Sequence, residues 1–174
     1  MKPILRMIAA LVLTALPAGA ESFQTPVRGA PPAPGKAVWF GIHFIDTSTE
    51  GAINGIRADE TARIEMAEDY IAADLTERGF ELSEPAPDAV AAIRNPVHSN
   101  GRDTKIAHEM GADYAISAEV QKVSNLILAM NLYIRDAETG QTLRAGAVDI
   151  RGNNDESWQR GYRYLLQNII FREK

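Results

Sequence analysis

Hydrophobic and polar positions alternate most regularly in the last third of the chain. Tyr114, Ile116, Ala118 and Val120 fall on one side of a two-residue repeat, with Asp113, Ser117, Glu119 and Gln121 on the other. Leu126, Leu128, Met130, Leu132 and Ile134 form a second apolar row. That period belongs to strands with one covered face. Thr139-Gly140, inside Asp-Ala-Glu-Thr-Gly-Gln, predicts a hairpin into a third strand over Thr142 to Ile150. Together the three strands make an antiparallel meander.

Upstream, Ala37 to Ile45 is apolar on both alternating sets, the pattern of a strand covered on both faces, and it is expected to be the central strand. Polar residues from Asp46 to Gly55 lead into a long helical repeat from Ala58 to Arg78. Ile64, Ala67, Ile71 and Leu75 lie on one stripe of it, with mostly charged residues opposite, and Gly79 stops it. A short strand over Phe80 to Leu82, one or two helical turns at Ala89 to Ile93, a loop from Asn95 to Gly101 and a helix from Asp103 to Met110 follow. The last helix begins at Asn153 or Asn154, where Asp155 and Glu156 suit its positive end, and it presents Trp158, Tyr162, Leu165, Leu166 and Ile169 to the sheet. The order β-α-β-α-β-β-β-α predicts an α/β (α+β) fold: a mixed sheet of about five strands flanked by helices, with a right-handed crossover joining the first two strands.

The amino-terminal segment stands apart. Lys2 and Arg6, the apolar run Met7 to Leu16 and Ala18-Gly19-Ala20 have the order of a cleavable secretory signal, with cleavage expected after Ala20. Residues 21–35 are rich in Pro and Gly and predict an extended lead-in, and residues 36–174 form the globular domain.

Charge and composition narrow the function. The chain of 174 residues carries 18 Lys+Arg against 23 Asp+Glu; without Lys2 and Arg6 the balance is 16 against 23, or −7. That acidity opposes a nucleic-acid or anionic-lipid partner. The apolar run near the start is too short to span a bilayer and no later run is longer, so membrane insertion is not expected. Cysteine is absent. Disulfides, thiol chemistry, thiolate metal sites and a lipid anchor on a cysteine are therefore not expected. The picture is of a soluble periplasmic domain.

Catalytic motifs fail on their context. Gly29 to Lys36 superficially resembles a phosphate-binding loop, but its glycines are one residue too far apart and it precedes a strand. His108-Glu109 opens like a zinc-hydrolase helix, yet Ala112 stands where the second imidazole belongs. No Gly-x-Ser-x-Gly elbow occurs. Glu60, Glu65, Glu68, Asp69 and Asp74 read as the solvated face of the long helix. His43, inside the first strand, reads as a packed core residue. No enzyme activity and no cofactor are expected. For a metal ion, His98 and His108 are the secondary candidates, beside Asp103 and Glu109.

Two stretches are the candidate binding positions. Asp46, Thr47 and Ser48 follow a strand end, where open α/β sheets place ligands, and equally suit turns and caps. Arg151, Asn153, Asp155, Trp158 and Arg160 crowd the last strand-to-helix junction, where a helix cap with a covering Trp158 competes with a binding surface.

Gly111-Ala112-Asp113-Tyr114, the run Val120 to Leu128 and the block Asp149-Ile150-Arg151-Gly152-Asn153-Asn154-Asp155-Glu156-Ser157-Trp158-Gln159-Arg160-Gly161 resemble an uncharacterised exported proteobacterial family, a domain of unknown function, over residues 36 to 172. Members of that family often carry Cys-x-x-Cys before the second helix. Ser99-Asn100-Gly101-Arg102 stands there in this chain, which removes any redox role the resemblance would imply. More distantly, the element order resembles the amino-terminal domain of TolB and the CsgG and LpoB-type periplasmic domains, which implies partner binding without catalysis. The resemblance also implies an association with quinoprotein alcohol-oxidation systems.

Two functional readings follow. One is an accessory or adaptor that binds another periplasmic or envelope protein, and it calls for an exposed apolar patch. The other is a small-ligand or metal-ion binder, which calls for a concave site with converging polar groups.

Overall fold

The computed structural model describes residues 30–173. The expected signal peptide and the lead-in up to residue 29 lie outside the described residues. The chain enters β1 (Lys36–Asp46), passes a short α1 (Thr49–Asn54) and the long α2 (Ala58–Glu77), and returns as β2 (Glu81–Ser83). Two short helices, α3 (Pro87–Ile93) and α4 (Arg102–Glu109), precede the meander β3 (Tyr114–Ser124), β4 (Ile127–Asp136) and β5 (Thr142–Arg151). Then α5 (Asp155–Leu165) runs into a π-helical stretch, Leu166–Ile170.

Among the described residues the sheet has five strands in the order β2-β1-β3-β4-β5. β1 runs parallel to both of its neighbours, and β3, β4 and β5 are antiparallel. The expected mixed α/β sheet is therefore present, with one correction. β3 occupies the middle of the sheet and β1 is second from the edge, because the three-residue β2 pairs on its outer side. Apolarity on both faces of β1 reflects helices above and below it and carries no information about its rank in the sheet.

Helices α2 and α5 cover one face. Ala67, Ile71 and Leu75 from α2 and Trp158, Tyr162 and Leu165 from α5 pack on Ile116, Ala118, Val120, Leu128, Met130, Leu132 and Ile134. This is the stripe-on-row packing that the two periodicities dictate. Gly161 brings α5 into backbone contact with the sheet, since a Cβ there would lie 2.7 Å from both Ile150 Cγ2 and Met130 Sδ. The opposite face holds a smaller core of Val38, Phe40, Ile93, Ala107, Ala115 and Ala137 under α3 and α4.

Leu126 departs from the expected apolar row. Pairing of β3 with β4 shifts register between Lys122 and Ser124 and begins on β4 at Ile127, so Leu126 lies in the turn and is 71% exposed. The polar stretch after β1 contains α1, whose N-cap Ser48 accepts from Gly51 N at 3.0 Å. Among the described residues no helix is long and apolar enough to cross a membrane.

Candidate functional site

The two stretches singled out in the sequence meet across a buried lysine, Lys122. Lys122 follows Ile116, Ala118 and Val120 in step on β3, so it points under α2 and α5 and is fully buried. Register sets it opposite Asp46 on β1. Its Nζ donates to Glu60 Oε1 at 2.6 Å, Asp46 Oδ2 at 3.0 Å and Glu50 Oε2 at 3.3 Å. Glu60 is wholly buried in the first turn of α2, which corrects the reading of that helix's carboxylates as a solvated face.

The network continues to the last junction. Asn153 Nδ2 donates to Glu60 Oε1 at 2.8 Å, and Trp158 Nε1 donates to Asn153 Oδ1 at 2.9 Å. Arg63 Nη1 reaches the same Asn153 oxygen at 3.3 Å, while its Nε and Nη2 donate to Asp155 and Asp59. A continuous line of hydrogen bonds therefore runs from Asp46 through Lys122, Glu60 and Asn153 to Trp158. Trp158 is fully buried and stacks near Phe44 at 6.2 Å between ring centroids.

Thr47 donates to Lys122 O through both its backbone N–H at 2.9 Å and its hydroxyl at 3.0 Å. Ser48 caps α1 and donates its hydroxyl to Asp46 Oδ1 at 2.5 Å. Arg151, Asp155 and Arg160 face solvent, Arg160 with Glu156 at 3.5 Å. The eight candidate residues thus divide into a scaffold of Asp46, Ser48, Asn153 and Trp158, an exposed Thr47 bonded to it, and the three exposed charges Arg151, Asp155 and Arg160.

Burial alone would lower the Lys122 ammonium, but the hydrogen bonds it donates to Glu60, Asp46 and Glu50 outweigh burial, and the group is pushed up to about 12. Burial would raise Asp46, yet the Ser48 hydroxyl and N–H, with Lys122, hold it below the ordinary carboxylate value. Glu50 is lowered by the amide of Asn125, then by Lys122 and Arg57. A lysine held this firmly charged is unsuited to act as base or nucleophile, roles that need a depressed value. The arrangement is a rigid tie between β1, β3, α1, α2 and the β5–α5 junction.

The two elements joined by this tie, α1 and the β3–β4 hairpin, carry exposed apolar side chains. Ile53 in α1 is 76% exposed, and Ile56, Val123, Leu126 and Ile127 are exposed beside it in sequence or on the β3–β4 hairpin. Asn125 Nδ2 donates to Glu50 at 2.7 Å, and Gly152 N and Asn153 N donate to Leu126 O and Asn125 O. These bonds fix the hairpin turn against both α1 and the last junction.

On the opposite face, His98 Nε2 lies 3.4 Å from Glu119 Oε2, and Asn95 Nδ2 donates to the same oxygen at 2.8 Å. His108 sits on the exposed side of α4. Among the described residues no three His, Asp or Glu side chains converge in a metal-binding group. The loop with Ser99 to Arg102 is tied down by Arg135, which donates to Asp103 Oδ2 at 2.6 Å and to the carbonyls of Pro96 and Val97; Ser99 also donates to Asp103. A groove of about 200 Å3 opens beside Trp39, Phe40 and Pro85.

The sequence model of DUF3280, described as a protein of unknown function (DUF2380), matches residues 35–170. No curated protein matches the chain. Among solved structures, the PelC dodecamer from Paraburkholderia phytofirmans superposes with a TM-score of 0.51 at 13% identity, covering 86% of this chain and 99% of that one. The LpoB C-terminal domain from Salmonella enterica gives 0.46 at 16% identity over 68% of this chain and 84% of that one. Lipoprotein GNA1162 from Neisseria meningitidis gives 0.45 at 18% identity over 71% and 84%. Of the expected TolB, CsgG and LpoB-type likenesses, LpoB matches are found and the other two are not, and at 13% identity the PelC match concerns the fold alone.

Proposed function

Because the chain belongs to the DUF3280 family, whose function is unknown, we propose from its own surface that it is a non-catalytic accessory module of the periplasm that works by binding another envelope protein. The observation that carries this reading is the set of exposed apolar side chains on α1 and the β3–β4 hairpin, where Ile53 and Leu126 are each more than two-thirds exposed. Scattered exposed apolar residues are ordinary, but several gathered on two adjoining elements mark a contact surface. Here they are also held on a rigid base, because Lys122 and its carboxylates lock both elements to the sheet. A surface ordered in advance binds without the entropic cost of ordering it on contact.

The secretory pattern of the first twenty residues supports the periplasm as the compartment. Among the described residues a small-ligand reading receives less support from the groove beside Trp39, which measures about 200 Å3, where ligand pockets run to about 300 Å3 and above. The test is capture from periplasmic extract by the wild-type chain and by a variant carrying Ile53→Asp and Leu126→Asp. The wild type retains a stoichiometric protein that the variant loses at unchanged melting temperature; equal capture by both refutes the assignment of this surface. A quinoprotein alcohol dehydrogenase, the partner class implied by the family resemblance, is one identity that capture can return.

A further inference from the structure

β1 is eleven residues long, but its outer neighbour β2 covers only Lys36, Ala37 and Val38. Beyond that point, among the described residues, β1 pairs with β3 alone. A bulge between Trp39 and Ile42, built on Gly41 at φ +75°, turns the strand there, and Gly41 to Asp46 are half-buried. Thr47 N donates inward to Lys122 O, whereas Ile42 N, of opposite parity, points outward and donates to Glu68 Oε1 at 2.6 Å. Backbone groups alternate sides along a strand, so Ile42 C=O, both polar groups of Phe44 and the N–H of Asp46 face the open side.

Sheet edges are ordinarily blunted by lysine, proline or a covering element. The open stretch, Gly41-Ile42-His43-Phe44-Ile45-Asp46, carries neither residue. Pro85 instead ends any continuation of β2 along it, and a groove lined by Trp39, Phe40, Glu68, Glu84, Pro85 and Val90 adjoins the stretch at Gly41. The charge along this border has one sign. Burial, with Asp69, Glu84 and Glu65 close by, raises the Glu68 carboxyl above its ordinary value. Among the described residues none of these four carboxylates forms an ion pair with a basic side chain.

We propose that the open edge of β1 over Gly41 to Asp46 is a docking site for an extended, basic segment of a partner protein, which adds to the sheet as an outer strand. Its backbone satisfies the free groups of Ile42, Phe44 and Asp46, an apolar side chain enters the groove at Trp39 and Pro85, and a Lys or Arg meets Glu68 and Glu84. Main-chain bonds supply affinity and the groove and carboxylates supply selectivity in this mode of recognition. This surface is separate from the exposed apolar side chains of α1 and the β3–β4 hairpin, so either can fail without the other.

The test uses the full chain and three fluorescent nonapeptides in anisotropy titrations: alternating valine and lysine, alternating valine and glutamate, and the lysine peptide with alternate backbone nitrogens methylated. The lysine peptide binds saturably, the glutamate peptide binds about tenfold or more weakly, and methylation on the ladder side abolishes binding. Glu84→Lys weakens the lysine peptide by a similar factor, and Phe44→Pro removes its binding, with melting curves confirming that both variants fold. Should Phe44→Pro not fold, the methylated peptide and hydrogen exchange at the Phe44 amide, fast alone and protected with peptide, report the same contact. The Ile53→Asp, Leu126→Asp variant binds the lysine peptide as wild type does. Absence of saturable binding, equal binding of the two charge types, unimpaired binding of the methylated peptide, or a dimer of the chain that occupies this edge would each overturn the proposal.

Discussion

Replacing Lys122 with methionine probes the tie on which the proposed binding surface rests. Lys122 and Glu60 are both fully buried and 2.6 Å apart, with Asp46 at 3.0 Å almost as enclosed. Removing one partner of a buried ion pair costs about 3–5 kcal/mol, because the remaining charge stays buried without compensation. Two features of this site set the loss at the lower end. Glu60 keeps the Asn153 amide at 2.8 Å and the Arg57 N–H at 3.1 Å, and Asp46 keeps the Ser48 N–H and hydroxyl. The expected loss is about 3 kcal/mol. At a urea dependence of about 2 kcal/mol per molar, the midpoint falls by about 1.5 M at unchanged slope. Adding Glu60→Gln removes the stranded charge, so the double variant is more stable than the sum of the single effects by roughly 1–3 kcal/mol. Urea unfolding followed by circular dichroism on all four proteins reads both quantities. A Lys122→Met loss below about 1 kcal/mol, or strict additivity in the double variant, refutes the idea that these groups bear on one another in a dry interior.

Four further outcomes follow from the same contacts. Gly161→Ala would gain about 1 kcal/mol of helix propensity on an open helix, but here the added Cβ meets Ile150 and Met130 at 2.7 Å, so thermal melting shows a net loss of about 1–3 kcal/mol. Trp158→Ala empties a fully buried site and orphans the Asn153 oxygen, at about 3–5 kcal/mol in urea unfolding. Asp46 and Glu50 lie below their ordinary values in the fold, so their contribution is complete above the unfolded carboxylate range and is lost as pH falls through the lowered folded values. Lys122, raised from 10.5 to about 12, contributes fully below 10.5 and loses that contribution as pH rises through about 12; urea midpoints against pH show both arms, and Lys122→Met flattens the alkaline one. Finally, zinc or nickel leaves the melting temperature in place, since His98 is engaged with Glu119 and His108 lies on the exposed side of α4; a rise with metal would restore the metal-ion reading.

The long helix and the final helix were legible because each buries one face, and a buried face imprints its period on the sequence; the meander was legible from its apolar rows, although β3 is covered on both faces, with Ser117 and Glu119 buried on the side expected to face solvent. The cap of the last helix was legible as Asn153 or Asn154, and Asn154 fills the position, accepting from Ser157 N at 3.0 Å. The order of strands was not legible: a strand covered above and below reads the same whether it lies second or third in a sheet. Lys122 and Glu60 are not legible from residue type alone, since charged side chains ordinarily lie in solvent. Their positions held the contrary signal. Lys122 continues the alternate row of Ile116, Ala118 and Val120, and Glu60 lies one turn before Ile64 on the stripe that continues to Ala67, Ile71 and Leu75. Two opposite charges, each at an apolar position of its own element, are the mark of a buried pair joining those elements. The short α1 left no period to read, since six residues give fewer than two turns. Its cap Ser48 was the one local sign of it.

We propose that exposed apolar side chains on α1 and the β3–β4 hairpin bind another protein. The most direct test is quantitative mass spectrometry of proteins captured from periplasmic extract by the wild-type chain, by the Ile53→Asp, Leu126→Asp variant and by a control carrying Lys105→Ala on the exposed side of α4. The account predicts one protein at near-equal stoichiometry on the wild type and the control, depleted at least tenfold on the variant, with all three melting alike. Capture that is the same on all three, or no enriched protein on any of them, would contradict it.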